Sequence, residues 1–301
     1  MSTEVSLANI KLDNPVLVAS GAFGYAKEAA RIIDVTKLGG IVPKTVTVLP
    51  RPGNVTPRTA EVTAGLLNSI GLDNDGIDDF CEKKMPFLRS LERPIFVSIA
   101  AKQLEDCQIL AEKLNDLPGV TAVELNVSCP NVSGGVDYGA NPKLCEQMTS
   151  ALRRYLRLPF SVKLSPNVTD VAEIAKAAEA GGADMISAVN TCFGLAIDWR
   201  KRKPLLGKGC GGFSGPAIKP IALRCVWQVA QAVKIPIIGI GGIASVDDVM
   251  DYLVAGATAV QIGTANFYKP NVTTSIIEQL PIEMEKAGVT NLADVIGALQ
   301  M

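Results

Sequence analysis

Residues 124–135 read ELNVSCPNVSGG. An apolar, strand-like run stops at Asn126. Three residues on comes Cys129, between Ser128 and a Pro-Asn pair, and then a loop of small residues. A cysteine acts as a base or nucleophile only as its thiolate. The chain contains no histidine, so the side chain that most often moves protons near neutral pH is missing. Cys129 is either a reactive thiol or a small buried residue like the other six cysteines, and position alone leaves both open. Other apolar runs end on polar residues too: Ser20, Lys44, Ser98, Asn126, Lys163 and Asn190. Two more end on glycines, at Gly241-Gly242 and Gly263-Thr264.

These residues need elements to hold them. Eight short apolar runs recur, at 15–20, 40–44, 94–100, 122–126, 159–164, 185–190, 236–242 and 259–265. Amphipathic helix patterns separate most of them. The segment 170–183 puts Val171, Ile174, Ala175 and Ala178 on one face and ends on glycines. The segment 245–257 opens on Ser245, a good N-cap, with acids in its first turn. Segments 104–116 and 141–156 fit the same template. Strands buried on both faces and alternating with helices make a parallel sheet. Eight such units predict an α/β fold, a (β/α)8 TIM barrel, spanning 1–301 as a single domain. An open doubly wound sheet is the alternative, but it lacks an early GxGxxG. Residues 5–12 read as an N-terminal hairpin closing the barrel bottom. The stretch 45–75 is too long for a plain strand-to-helix connection and is rich in Pro, Gly and Thr. It predicts a long inserted loop at the C-terminal face, and long loops in compact folds usually carry function.

Composition narrows the class. With 29 basic and 30 acidic residues the net charge is −1, which disfavours a nucleic-acid partner. No window approaches the length of apolar run needed to span a membrane, and the N-terminus lacks a signal-peptide pattern. The seven cysteines fall singly, with no CxxC pair. That is reduced, cytoplasmic usage, and it disfavours a structural zinc or iron–sulfur site in this chain.

In a barrel the carboxyl ends of the strands face the active site. Two lysines and two asparagines at matching strand ends therefore predict a site there. Glycines on the seventh and eighth strands let backbone N–H groups approach a phosphate, which barrels commonly bind at this place. A phosphate-bearing cofactor follows. Lys44 and Lys163 suit a flavin, whose reduced form carries negative charge. They equally suit a phosphosugar substrate or a Schiff base, and position does not separate these readings.

The segments ELNVSCPN (124–131), NSIGLDN (68–74), FSGPAIKP (213–220) and IPIIGIGGI (235–243) together resemble the dihydroorotate dehydrogenase family. The likeness is greatest to its class 1, two-subunit, NAD-linked type, and runs from SGAFGY at 20–25 to IGTA at 262–265. The resemblance implies an FMN-containing barrel that oxidises dihydroorotate to orotate in pyrimidine biosynthesis. It makes Cys129 the general base that takes the C5 proton, while the C6 hydride goes to FMN. Asn68, Asn126, Asn131 and Asn190 would bind the pyrimidine ring and its carboxylate, with Thr191 beside them. Backbone groups of Ile70, Gly71 and Leu72 would also bind substrate. Ser20, Lys44, Thr45, Ser98, Asn126, Lys163, Val189, Gly215, Gly241, Gly242, Gly263 and Thr264 match FMN-contacting positions, Lys44 lying between flavin and substrate. Ser98 departs from the asparagine that many relatives carry.

The resemblance also implies a partner subunit carrying FAD and a 2Fe-2S centre, and a homodimer at the core of a heterotetramer. An apolar surface patch is expected for that partner. The single-chain fumarate-linked type and other FMN-dependent dihydropyrimidine dehydrogenases are the alternatives within the fold. A Schiff-base aldolase or a phosphosugar-binding barrel is the alternative in another class. The absence of an N-terminal anchoring extension, and a cysteine where serine would stand, disfavour the quinone-linked class.

Overall fold

The computed structural model describes residues 1–127 and 138–301. Eight parallel strands form its centre: β1 (Val16–Val18), β2 (Gly40–Ile41), β3 (Phe96–Ile99), β4 (Ala122–Asn126), β5 (Phe160–Lys163), β6 (Met185–Ala188), β7 (Ile237–Ile240) and β8 (Ala259–Ile262). Their order is β2-β1-β8-β7-β6-β5-β4-β3. Parallel bridges Ile41–Ile95 and Val46–Ile99 bring the two edges together. The Val46 N–H donates to the Ser98 carbonyl at 2.9 Å, and the Ala100 N–H to the Val46 carbonyl at 3.0 Å. The sheet thus closes into a (β/α)8 barrel, as the eightfold alternation predicts. Closure removes the free edges that an open sheet would leave.

Helices pack outside. They run over Leu104–Asn115, Pro142–Tyr155, Val171–Ala180, Lys219–Ala230, Val246–Val254 and Val272–Lys286. Each lays an apolar stripe on the strands. In Val171–Ala180 the predicted Val171, Ile174, Ala175 and Ala178 are all buried. After β1 two short 3-10 turns, Ala29–Arg31 and Val35–Lys37, stand where a helix would be. Val5–Leu7 and Ile10–Leu12 form the expected N-terminal hairpin.

The sequence reading is refined at 45–75. Instead of an irregular loop, Thr59–Val62 and Gly65–Asn68 form a hairpin. It joins Gly211–Ser214 and Cys192–Gly194, from the segment after β6, in a four-stranded antiparallel sheet. Asn68 sits opposite Gly212, and Leu66 opposite Ser214. Two long insertions satisfy each other's backbone groups across the barrel mouth. No local pattern announces such a pairing, because its partners are far apart in the chain. Among the described residues no helix is long and apolar enough to cross a membrane.

The helix Val246–Val254 begins with a reciprocal cap. The Ser245 hydroxyl accepts from the Asp248 N–H at 3.2 Å, and the Asp248 carboxylate accepts from the Ser245 N–H at 2.9 Å. Replacing Ser245 by Ala is expected to cost about 1 kcal/mol. Urea unfolding monitored by circular dichroism should show a lower midpoint at unchanged slope; an unchanged midpoint would remove the cap from the stability account.

Candidate active site

The barrel mouth and the antiparallel sheet above it enclose a cleft of about 490 Å³, within the range of small-molecule sites. From strand ends it receives Ser20, Lys44, Thr45, Asn126, Lys163, Val189, Asn190, Thr191, Gly241, Gly242, Gly263 and Thr264. From the insertions it receives Asn68, Ile70, Gly71, Leu72 and Gly215. The two groups named from sequence therefore line one cavity. Ser98 does not line it. This side chain is fully buried, its hydroxyl 2.9 Å from that of Thr45. Thr45 stands in front of it because the 45–46 segment runs alongside the end of β3. Cys129 and Asn131 lie outside the described residues.

The NSIGLDN segment is held by side chains rather than by a regular ladder. The Asn54 amide donates to the Ser69 hydroxyl at 2.9 Å, and the Asn54 N–H donates to the Ile70 carbonyl at 2.9 Å. The Asn74 amide donates to the Leu72 carbonyl at 2.7 Å, while its oxygen accepts from the Gly76 N–H at 2.9 Å. The chain crosses Gly71 and Leu72 with φ of 78° and 57°. A Cβ on Gly71 would lie 2.7 Å from the Asn54 backbone nitrogen, so this position takes only glycine. Fixed in this way, the backbone of 70–72 borders the cleft beside Asn68.

At the opposite side Gly241 and Gly242 have φ of 133° and 71°. A Cβ on Gly242 would come within 2.8 Å of the Lys219 backbone nitrogen, and one on Gly241 within 2.6 Å of Ala222. Both positions need glycine because the start of the helix Lys219–Ala230 already fills the space beside them. The tight turn leaves bare backbone as a cradle at the cleft, which suits close approach by a phosphate. Tyr252 supports it from behind, its hydroxyl donating to the Gly241 carbonyl at 2.6 Å. Burial pushes that hydroxyl's pKa up. Thr264, next to Gly263, donates to the Ser214 hydroxyl at 2.7 Å and ties the β8 end to the mouth sheet.

The floor of the cleft is charged. Lys163 is 4% exposed and Glu124 is 0% exposed. Lys163 Nζ lies 3.2 Å from Glu124 Oε1, 3.4 Å from Gln261 Oε1 and 3.5 Å from Ser20 Oγ. Glu124 Oε2 accepts from Gln261 Nε2 at 2.7 Å and from Ser187 Oγ at 3.0 Å. Ser187 Oγ is in turn 3.1 Å from Ser161 Oγ. An isolated ammonium or carboxylate would be very costly here; paired and fully hydrogen-bonded they are tolerated. Sequence reading found Lys163 but missed Glu124, Ser161, Ser187 and Gln261. A signal was present: alternate residues of a strand share a face, so Glu124 lies two before Asn126 and Ser161 two before Lys163.

Five of the six described cysteines, Cys81, Cys107, Cys145, Cys192 and Cys225, behave as packing residues. Burial pushes the Cys107 thiol up to about 12 and Cys145 up to about 11. It raises Cys81, Cys192 and Cys225 as well. A raised thiol pKa leaves little thiolate and little reactivity.

The cavity thus has a glycine cradle, a paired lysine below it and four asparagines on its walls, Asn68, Asn126, Asn167 and Asn190. Residues 2–284 match the family model described as dihydroorotate dehydrogenase. Among curated proteins, a dihydroorotate dehydrogenase B (NAD(+)) catalytic subunit of Geotalea uraniireducens is 50% identical over 98% of this chain and 97% of its own length. Proteins of the same name from Geotalea daltonii and Phocaeicola vulgatus are 48% and 47% identical, each over 99% of this chain and 98% of its own length. With a family match over nearly its whole length and relatives at half identity, the chain belongs to the dihydroorotate dehydrogenase family.

Proposed function

We propose that this chain, acting as one unit over 1–301, is the FMN-binding catalytic subunit of an NAD-linked dihydroorotate dehydrogenase. The observation that carries the reading is that a single cleft is lined by the predicted cofactor-binding residues except Ser98 and by the predicted substrate-binding residues except Asn131, which lies outside the described residues. The residues fit FMN. The Gly241-Gly242 cradle and the backbone at Gly263 and Thr264 would hold its phosphate. Lys163, with Ser20 beside it, and Thr45, backed by Ser98, would lie against its ring system. When bound, FMN supplies the acceptor for the hydride that leaves C6 of dihydroorotate.

The chain's own residues do the rest. Asn68, Asn126, Asn131 and Asn190 are neutral donors and acceptors, suited to a flat ring bearing C=O and N–H groups. They discriminate by hydrogen bonds that a wrong ligand would leave unmade. Thr191 and the fixed backbone of Ile70, Gly71 and Leu72 complete the substrate wall. Lys44, which lines the cleft, would lie between flavin and substrate and contribute positive charge to both. Cys129 takes the C5 proton onto its sulfur as the C6 hydride departs, which leaves a C5=C6 double bond and a neutral thiol. Proton abstraction by a positioned group is worth roughly 10²–10⁴-fold in rate.

Electrons then leave through a second protein. We assign to it the FAD and 2Fe-2S centre that couple the reaction to NAD, and place a homodimer of this chain at the core of the heterotetramer. The relatives' names support the NAD linkage. Phe193, Leu195, Ile197 and Trp199 are exposed, an apolar stretch of the kind that protein partners cover. We assign the assembly to the cytoplasm, on the reduced pattern of cysteine usage.

Two outcomes are expected. Cys129→Ala should lower dihydroorotate oxidation by about 10²–10⁴-fold with FMN content unchanged, and Cys129→Ser should keep weak activity with its pH optimum moved upward, because a hydroxyl is a poorer base. Wild-type turnover by the alanine variant at neutral pH removes Cys129 from the mechanism. In the second experiment the purified chain is offered an artificial dye, fumarate and NAD in turn. Dye reduction alone, with NAD reduction appearing on addition of the partner subunit, supports the reading. Efficient fumarate reduction moves the chain to the single-chain type, and direct NAD reduction sinks the partner assignment.

A further inference from the structure

Glu124 has no direct route to a ligand. It is 0% exposed and does not line the cleft, whereas Lys163 does. Three neighbours donate to its two oxygens: Lys163 at 3.2 Å, Gln261 at 2.7 Å and Ser187 at 3.0 Å. That is the arrangement an acceptor-only carboxylate takes. Gln261 contacts both charged groups, accepting from Lys163 at 3.4 Å while donating to Glu124. Barrel interiors are ordinarily filled by branched apolar side chains, so packing alone does not call for a carboxylate on the inner face of β4. An apolar residue of similar volume would be cheaper to bury, provided that no lysine stood above it.

We propose that Glu124 is a positioning residue that sets the electron affinity of the cofactor site through Lys163. This rests on the reading of the cleft as an FMN site. A cation beneath a flavin stabilises the negative charge that accumulates there on reduction. In a water-poor interior that effect is large, because little screens it. Glu124 opposes it from below and anchors Nζ at the same time. The carboxylate thus tempers the pull of Lys163. A site that held electrons too strongly would accept a hydride from substrate but release electrons poorly to an acceptor. The pair Glu124–Lys163 is a balance between those two demands, built from residues of β4 and β5 that lie two residues before Asn126 and at the end of its neighbour.

The test measures the midpoint potential of the bound flavin by dye-referenced anaerobic reduction of the holoprotein, alongside flavin content. In Glu124→Gln the carboxylate charge is gone and the shape is kept. The reduced-to-oxidised ratio at a fixed potential should rise at least tenfold, a shift of about 30 mV upward for a two-electron couple. In Glu124→Asp the charge stays but retreats by one methylene, and a smaller upward shift is expected. The aspartate variant decides the matter if the glutamine variant does not fold or does not hold flavin. A potential that is unchanged or lower in a flavin-loaded variant overturns the inference and leaves the FMN reading standing. A wild-type preparation with no flavin overturns the FMN reading itself.

Discussion

One buried ion pair constrains much of this molecule. A barrel interior is normally filled with branched apolar side chains. Here its upper part carries an ammonium and a carboxylate that are almost wholly removed from water. Removing one member of such a pair costs about 3–5 kcal/mol, because the other is left charged and alone. The pair persists because three other strands or strand ends supply hydrogen bonds: Gln261 on β8, Ser187 on β6, itself bonded to Ser161 on β5, and Ser20 just beyond β1. Strand register must hold each of these at the right height. Asn126 pairs with Lys163, and Lys163 with Ser187, across successive strands. A slip of one residue in any strand would turn its polar group to the apolar outer face.

Above that floor the fold has a different task, which is to leave backbone groups available without leaving them unsupported. The two insertions solve it by pairing with each other, so that Asn68 faces Gly212 across a ladder. Beyond Asn68 the ladder ends, and Asn54 and Asn74 take over as clamps. The glycine cradle at 241–242 is the counterpart on the other side, with Tyr252 behind it. Each wall is rigid for a local reason, and the cleft inherits its shape from both. This fits the view that a preorganised site spends its ordering cost on folding rather than on binding.

Much of this was legible in the sequence. The eight strands stand where the apolar runs place them, because runs such as 236–240 are apolar on both faces and only a parallel, double-sided burial suits them. Strand-end polarity found Lys163 and Asn126 because the exit from the core is where a polar residue is least expected without a role. Ser98 obeyed the same rule, yet it sits behind Thr45, since a neighbouring segment covers that strand end. The mouth sheet was not legible at all: its central ladder joins residues near 66 to residues near 213, and alternation in Gly-rich stretches is too weak to announce strands. Glu124 and Gln261 went unnoticed for another reason. Each lies inside an apolar run, where one polar residue reads as noise until its partner on another strand is known. Cys129 and Asn131 rest on motif resemblance alone.

The central claim is that this cleft moves a hydride from dihydroorotate to a flavin held over Lys163. The most direct measurement is the visible absorption spectrum of the purified chain, recorded anaerobically before and after addition of dihydroorotate with no other acceptor present. The account expects a yellow protein whose flavin band bleaches as an equimolar amount of orotate appears. A colourless protein, or a flavin band that dihydroorotate leaves untouched, would contradict it.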